Sequence, residues 1–180
     1  MRTSTGRSTG ATHPRRALTT IEIILALPIF LLAVLAIVEF GLLFSNEQTV
    51  EMACRAGSQV ASKRPTLPVV GGVPAEVNDA VARELAQIGV SDFVVRLEHN
   101  INFAGGSGAT MAPVVLTTAT GSGPAASPNP PVISLSPNRR YVQITVGVYS
   151  TSLTPNVLNS YGLDLSQRVS SQTTTFRYVP

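Results

Sequence analysis

Few residues of this 180-residue chain are of types that do chemistry, and their spacing limits what they can do. There are two histidines, His13 and His99, and one cysteine, Cys54. His13 lies in a polar tail with no second ligand near it. His99 falls on the apolar side of an alternating segment, and no metal-ligand partner sits at usable spacing. It reads as a partly buried, hydrogen-bonded histidine. Asp164, Glu98 and His99 are not tied together by any spacing. No Ser/His/Asp arrangement, metal-ligand cluster or Gly-rich phosphate loop between strand and helix is present. The expectation is a non-enzymatic protein with no cofactor and no metal site.

Two carboxylates are unusual for a different reason. Glu22 and Glu39 interrupt the stretch IEIILALPIFLLAVLAIVEFGLLF, Ile21–Phe44, and the 16 residues between them carry no charge and no polar side chain. An ionisable side chain at a bilayer centre costs about 2.5–3.5 kcal/mol, and less near the interface. Glu22, near the start of the run, therefore either sits at headgroup level or pairs with a positive group inside the membrane. Pro28 cannot donate to the Ile24 carbonyl and loosens one helical turn. Glu39 is expected to mark the outer membrane interface, with Gly41 beside it as a small-residue packing position.

The stretch that carries these groups organises the chain. A bilayer core about 30 Å thick needs roughly 20 apolar residues in a helix. Ile21–Phe44 is 24 residues long, broken only by Glu22 and Glu39. Arg15 and Arg16 precede it and form its inner boundary, so the N-terminus is expected in the cytoplasm and everything after Phe44 outside it. The net charge of +3 comes from this flank. Without Arg2, Arg7, Arg15 and Arg16, the remaining 164 residues carry 9 basic and 10 acidic groups, a net of −1. No Lys/Arg stripe interleaved with aromatics is present, so no nucleic-acid partner is expected. One cysteine in an exported domain excludes an internal disulfide framework.

The expected order is as follows. Residues 1–17 form a basic leader. A helix spans 18–64, with the membrane span at 21–44 and an amphipathic continuation at 45–64. In that continuation Val50, Ala53, Cys54, Gly57, Val60 and Ala61 share one face, which makes Cys54 a small buried hydrophobe. Glu51 and Arg55 form an i,i+4 pair, and Pro65 and Pro68 end the helix. Residues 65–180 form an extracytoplasmic α+β domain. Pro74 opens a short helix to about Ile88, with Val77, Ala80, Val81, Leu85 and Ile88 inward, an Asp79–Arg83 pair outside and Gly89 as its stop. Asp92–Phe103 alternates as a half-buried strand, and Arg140–Tyr149 is a second. The stretch 104–139 is Gly/Pro-rich and charge-free up to Asn138, which reads as a variable loop with Val114–Leu116 and Val132–Leu135 as candidate short strands. Thr154–Leu165 suggests a single helical turn. Ser166–Val179 suggests a third strand at an edge, with a wet, hydroxyl-rich face. The fold class is therefore α+β: a long N-terminal helix, one short helix, and an antiparallel sheet of about three or more strands.

Arg15–Arg16, Ala17, Glu22, Pro28, Glu39–Phe40–Gly41 and Ala53–Cys54–Arg55–Ala56–Gly57 together resemble the TadE-like family of minor pilins and pseudopilins, from the tight-adherence (Flp-type) branch of type IV pilus systems. The resemblance covers Arg15–Arg64. It implies a structural membrane protein that works with other pilin subunits, a prepilin-type peptidase and the pilus assembly machinery. It implies a cut between Ala17 and Leu18, with Ala where pilins usually have Gly, so that Glu22 becomes the fifth mature residue. Glu22 would then meet the new amine of Leu18 on a neighbouring subunit and set the axial register. It implies a single-pass protein of the bacterial inner membrane that can pass into an extracellular pilus. The competing reading is an exported or membrane-anchored binding domain whose apolar run is only a signal or anchor, with Val34-Leu35-Ala36 as a small-residue cleavage site.

Overall fold

A computed structural model describes residues 14–100, 113–124, 140–155, 157–162, 164 and 168–178. Helix α1 runs over Pro14–Ser62 with Pro28 inside it. Helix α2 spans Ala75–Ala86. Strands β1 (Phe93–His99), β2 (Val114–Thr120), β3 (Tyr141–Tyr149) and β4 (Val169–Arg177) follow, with short 3-10 turns at Ser150–Ser152 and Val157–Tyr161 between β3 and β4. The strands form one antiparallel sheet in the order β2-β1-β3-β4. The fold is α+β. The chain divides into two compact units inside α1, Met1–Val38 and Glu39–Pro180.

In the second unit, the alternation of β3 explains the core. Val142, Ile144, Val146 and Val148 all point to one face and are fully buried, as are Val95 and Leu97 of β1. That face is covered by α2, through Val77, Val81 and Leu85, and by the small-residue face of α1. Burying each such side chain contributes roughly 1.5–3 kcal/mol. Val50, Ala53, Cys54 and Ala61 of α1 are fully buried, as their helical spacing required. Gly57 marks the tightest approach: a Cβ there would lie 2.8 Å from Val81 Cγ2 and 3.1 Å from Ile144 Cδ1. Small residues on this face let α1 lie against both α2 and the sheet.

Helix α2 stops as its sequence dictates. Gly89 adopts φ +74, and Val90 N–H donates to the Leu85 carbonyl at 3.2 Å, the 6→1 bond of a Schellman turn. The expected Asp79–Arg83 pair does not form. Both side chains are exposed, where an ion pair gains little over water, and the ion pair at this end of the domain joins Arg64 to Glu76 at 3.5 Å instead. The Glu51–Arg55 pair does form.

Three expectations about the strands need correction. First, 104–139 is not a loop throughout. Residues 114–120 form an edge strand in seven-residue register with β1. Thr and Val supply enough β-branching to override the Gly/Pro surroundings. Second, β1 ends at His99 and is not half-buried: its second face is covered too. Arg96 and Glu98 side chains are 18% and 16% exposed, and Gln143 and Thr145 beside them on β3 are 4% and 2% exposed. After β2 the chain turns at Gly121, whose φ is +63, and returns across that face. Gly123 passes so close that a Cβ would lie 2.6 Å from the Phe93 carbonyl oxygen. Third, β4 is the expected edge strand, but its hydroxyl-rich surface is mostly half-buried, not wet. Candidate strand Val132–Leu135 and the Ile101–Phe103 end of the β1 alternation lie outside the described residues.

Gly57→Val should destabilise the domain by about 1–3 kcal/mol, because the added side chain overpacks against Val81. Gly41→Ala, where a Cβ meets nothing within 4 Å, should not destabilise it. Thermal unfolding of both full-length variants in detergent checks the contrast.

Candidate functional site: an uncovered apolar helix

Every residue singled out at the N-terminal end lies on α1, and the structure does not gather them into one pocket. Ala17 and Leu18 lie within the helix, as do Arg15 and Arg16. Glu22 is exposed. Pro28 lies within the helix, which continues on both sides of it. Glu39 follows Glu22 by 17 residues, a helical rise of roughly 25 Å. It is 3% exposed, and Gly41 is exposed. These positions succeed one another along a single helix.

What unites these positions is apolar exposure. Between Ile21 and Phe44, the large side chains of Ile29, Phe30, Ile37 and Phe44 are 71%, 64%, 72% and 63% exposed. Exposed apolar surface on this scale marks a contact with lipid or another protein. Among the described residues, one helix is long and apolar enough to cross a membrane, and no part of its most apolar window is buried.

The C-terminal part of α1 is held differently. Polar side chains along its inner face fasten it to β4 and the turn before it. Asn46 Nδ2 donates to the Leu153 carbonyl. Glu47 Oε1 accepts from Ser170 Oγ at 3.0 Å. The Cys54 thiol donates to the Gln172 carbonyl at 3.0 Å, and burial pushes that thiol up to about 12. Ser58 Oγ donates to the Cys54 carbonyl at 2.7 Å and lies 3.3 Å from the Thr174 carbonyl oxygen. Asn46, Glu47 and Ser58 were not foreseen. Their only sequence signal is that they share the i, i+3, i+4 face of Val50 and Cys54, where a polar residue must find a partner.

The segment joining α1 to α2 is fixed at three points. His99 Nε2 donates to the Pro68 carbonyl at 2.9 Å, and the ring is fully buried, the structural role its pattern suggested. Thr118 Oγ1 accepts from Val73 N–H at 2.8 Å. Tyr178 Oη donates to the Arg64 carbonyl at 2.7 Å. On the opposite face of the sheet, Glu98 accepts from Tyr141 Oη at 2.9 Å and lies 3.5 Å from Arg96. Burial, and then the hydrogen bond and charge of Glu98, push the Tyr141 phenol up to about 12. Among the described residues no three His, Cys, Asp or Glu side chains are grouped to hold a metal ion.

Comparison with known proteins gives one match. The family model described as TadE-like protein matches residues 18–59, most of α1, in agreement with the resemblance drawn from the motifs. No curated protein and no solved structure matches the chain.

The Tyr141 environment has a measurable consequence. A tyrosine in an unfolded chain titrates near ~10. The folded state holds this proton more tightly. Stability from the group is intact below about pH 10 and lost as pH rises through about 12. An ultraviolet phenolate titration should show a late step that Tyr141→Phe removes.

Proposed function

We propose that this chain, whose α1 carries the TadE-like match, is a structural, non-enzymatic minor pilin or pseudopilin that takes part in assembling a tight-adherence pilus. The observation that carries the proposal is the two-part character of α1. The family match over residues 18–59 includes both the uncovered apolar run and the small-residue face that docks on the sheet. A binding domain that merely needed an anchor has no use for one uninterrupted helix through both.

In this reading the N-terminus faces the cytoplasm behind Arg15 and Arg16, the span 21–44 lies in the bacterial inner membrane, and the domain from residue 65 is extracytoplasmic. A prepilin-type peptidase removes residues 1–17 by cutting between Ala17 and Leu18. Glu22 then pairs with the Leu18 amine of an adjacent subunit. That pair neutralises two charges in a dry environment, where leaving either one alone is strongly unfavourable, by about 3–5 kcal/mol. It therefore discriminates sharply between axial registers. Pro28, by weakening one turn, lets the helix adjust as it leaves lipid for packing against other subunits. Glu39 and Gly41 lie where the span meets the domain.

The test is the N-terminal residue and intact mass of the protein isolated from its native membranes. A start at Leu18 is expected. Glu22→Ala should then be processed normally but recovered in sheared pili at a tenfold or greater loss, the ratio that corresponds to about 1.4 kcal/mol or more. A start at Ile37 would make the apolar run a cleaved signal, and normal recovery of the Glu22→Ala protein would remove the register role.

A further inference from the structure

The strand order leaves two outer edges, on β2 and on β4, and among the described residues no strand pairs with either. Such edges present unpaired N–H and C=O groups, and natural sheets blunt them with charge, proline or bulges. Within the strands themselves, neither edge carries a proline or an internal charge. β2, VVLTTAT, has no charge and no proline. β4, VSSQTTTFR, has one charge at its last position, Arg177, and follows β3 in unbroken register over nine residues.

The backbone alternation shows which groups are free to pair. Ser150 N–H donates to Arg168 and Tyr178 N–H to Arg140, so the even residues of β4 bond to β3. The N–H and C=O of Ser171, Thr173 and Thr175 therefore point away from the sheet. Asn100 N–H donates to Tyr141, so the odd residues of β1 bond to β2 at Val114, Leu116, Thr118 and Thr120. That leaves Val115, Thr117 and Ala119 of β2 pointing outward, and all three are exposed.

Strand direction then selects the partner. β4 is antiparallel to β3, β3 to β1, and β1 to β2. A second copy set alongside in the same orientation brings its β2 against β4 in the antiparallel sense. Symmetric antiparallel pairing of two β4 strands would instead set the docked parts of the two α1 helices antiparallel. α1 runs in the direction of β4, with Glu47 at Ser170, Cys54 at Gln172 and Ser58 at Thr174, so reversing β4 reverses α1.

We propose that the sheet domains of neighbouring chains join head to tail, β4 of one copy adding to β2 of the next. Centring one strand on the other sets Thr173 opposite Thr117, Ser171 opposite Ala119 and Thr175 opposite Val115, all on the face away from the helices. Arg177 falls opposite Pro113, beyond the end of β2, so no like charges meet. The contact is heterologous and repeats indefinitely. Successive copies of the docked part of α1 lie about 19 Å apart, four strand spacings of about 4.8 Å. The inference rests on the proposed function only in that the chains share one membrane.

Disulfide trapping in native membranes tests it, with full-length Thr117→Cys and Thr173→Cys chains expressed together, the parent chain with its buried Cys54 serving as control. The mixture should give cross-linked dimers on oxidation, either variant alone should give none, and the double variant should give a ladder. Adding Ser171→Pro to the Thr173→Cys chain removes an outward N–H and no ladder bond within the sheet, and should reduce the yield. Dimers from Thr173→Cys alone, or a yield insensitive to Ser171→Pro, would overturn the pairing. No cross-link from the mixture in a protein that starts at Leu18 would also overturn it, while leaving the pilin-like reading intact.

Discussion

An apolar helix that its own chain leaves uncovered must be covered by something else. Fourteen large apolar side chains between Ile21 and Phe44 are exposed. At roughly 1.5–3 kcal/mol for each such side chain, moving them out of water is worth on the order of 20 kcal/mol. A folded domain is stable by only about 5–15 kcal/mol. No internal rearrangement of the sheet domain offsets a term of that size, so lipid or other helices must supply the surroundings. In the pilin-like reading proposed above, the same term gives Glu22 its role. In an apolar environment that offers no other polar partner, one carboxylate becomes a strong positional signal.

The C-terminal part of the helix obeys a different constraint. From Glu39 on, one face of α1 is progressively buried, and its side chains shrink to Ala53, Cys54, Gly57, Ser58 and Ala61. Small side chains allow close approach, but they leave little apolar area to hold the helix in place. Direct hydrogen bonds from Asn46, Glu47, Cys54 and Ser58 to β4 and its preceding turn add what the missing area does not. Three of these bonds run to β4, which is thus both the seat of α1 and, among the described residues, an unpaired edge. A filament or membrane array that pulls on α1 loads that strand first.

Much of this was legible in the sequence, and the limits have physical causes. The apolar run follows from its length and unbroken hydropathy, and the buried face of α1 and the inward faces of α2 and β3 follow from periodicity, which reports burial directly. The role of His99 followed from its place on the apolar side of β1. β2 was legible only as Val114–Leu116, because Thr117, Thr118 and Thr120 read equally well as loop. The covered outer face of β1 was not legible. Arg96, Glu98, Gln143 and Thr145 look like a solvated face, and only their low exposure in the fold shows otherwise. Of the candidate site, the residue types were readable but the contrast in Glu22 and Glu39 exposure was not, because both sit in the same apolar text.

The central claim is that one helix passes from an environment apolar on all sides to one apolar on a single face. A spin-label accessibility scan along α1 of the full-length chain in lipid bilayers tests it most directly. Oxygen should reach every position from Ile23 to Val38 in preference to a water-soluble relaxant, with no helical period. From Val50 to Ala61, access to both should oscillate with the 3.6-residue period and vanish at Ala53, Cys54 and Gly57. A water-accessible stripe repeating every 3.6 residues through Ile23–Val38 would contradict the account.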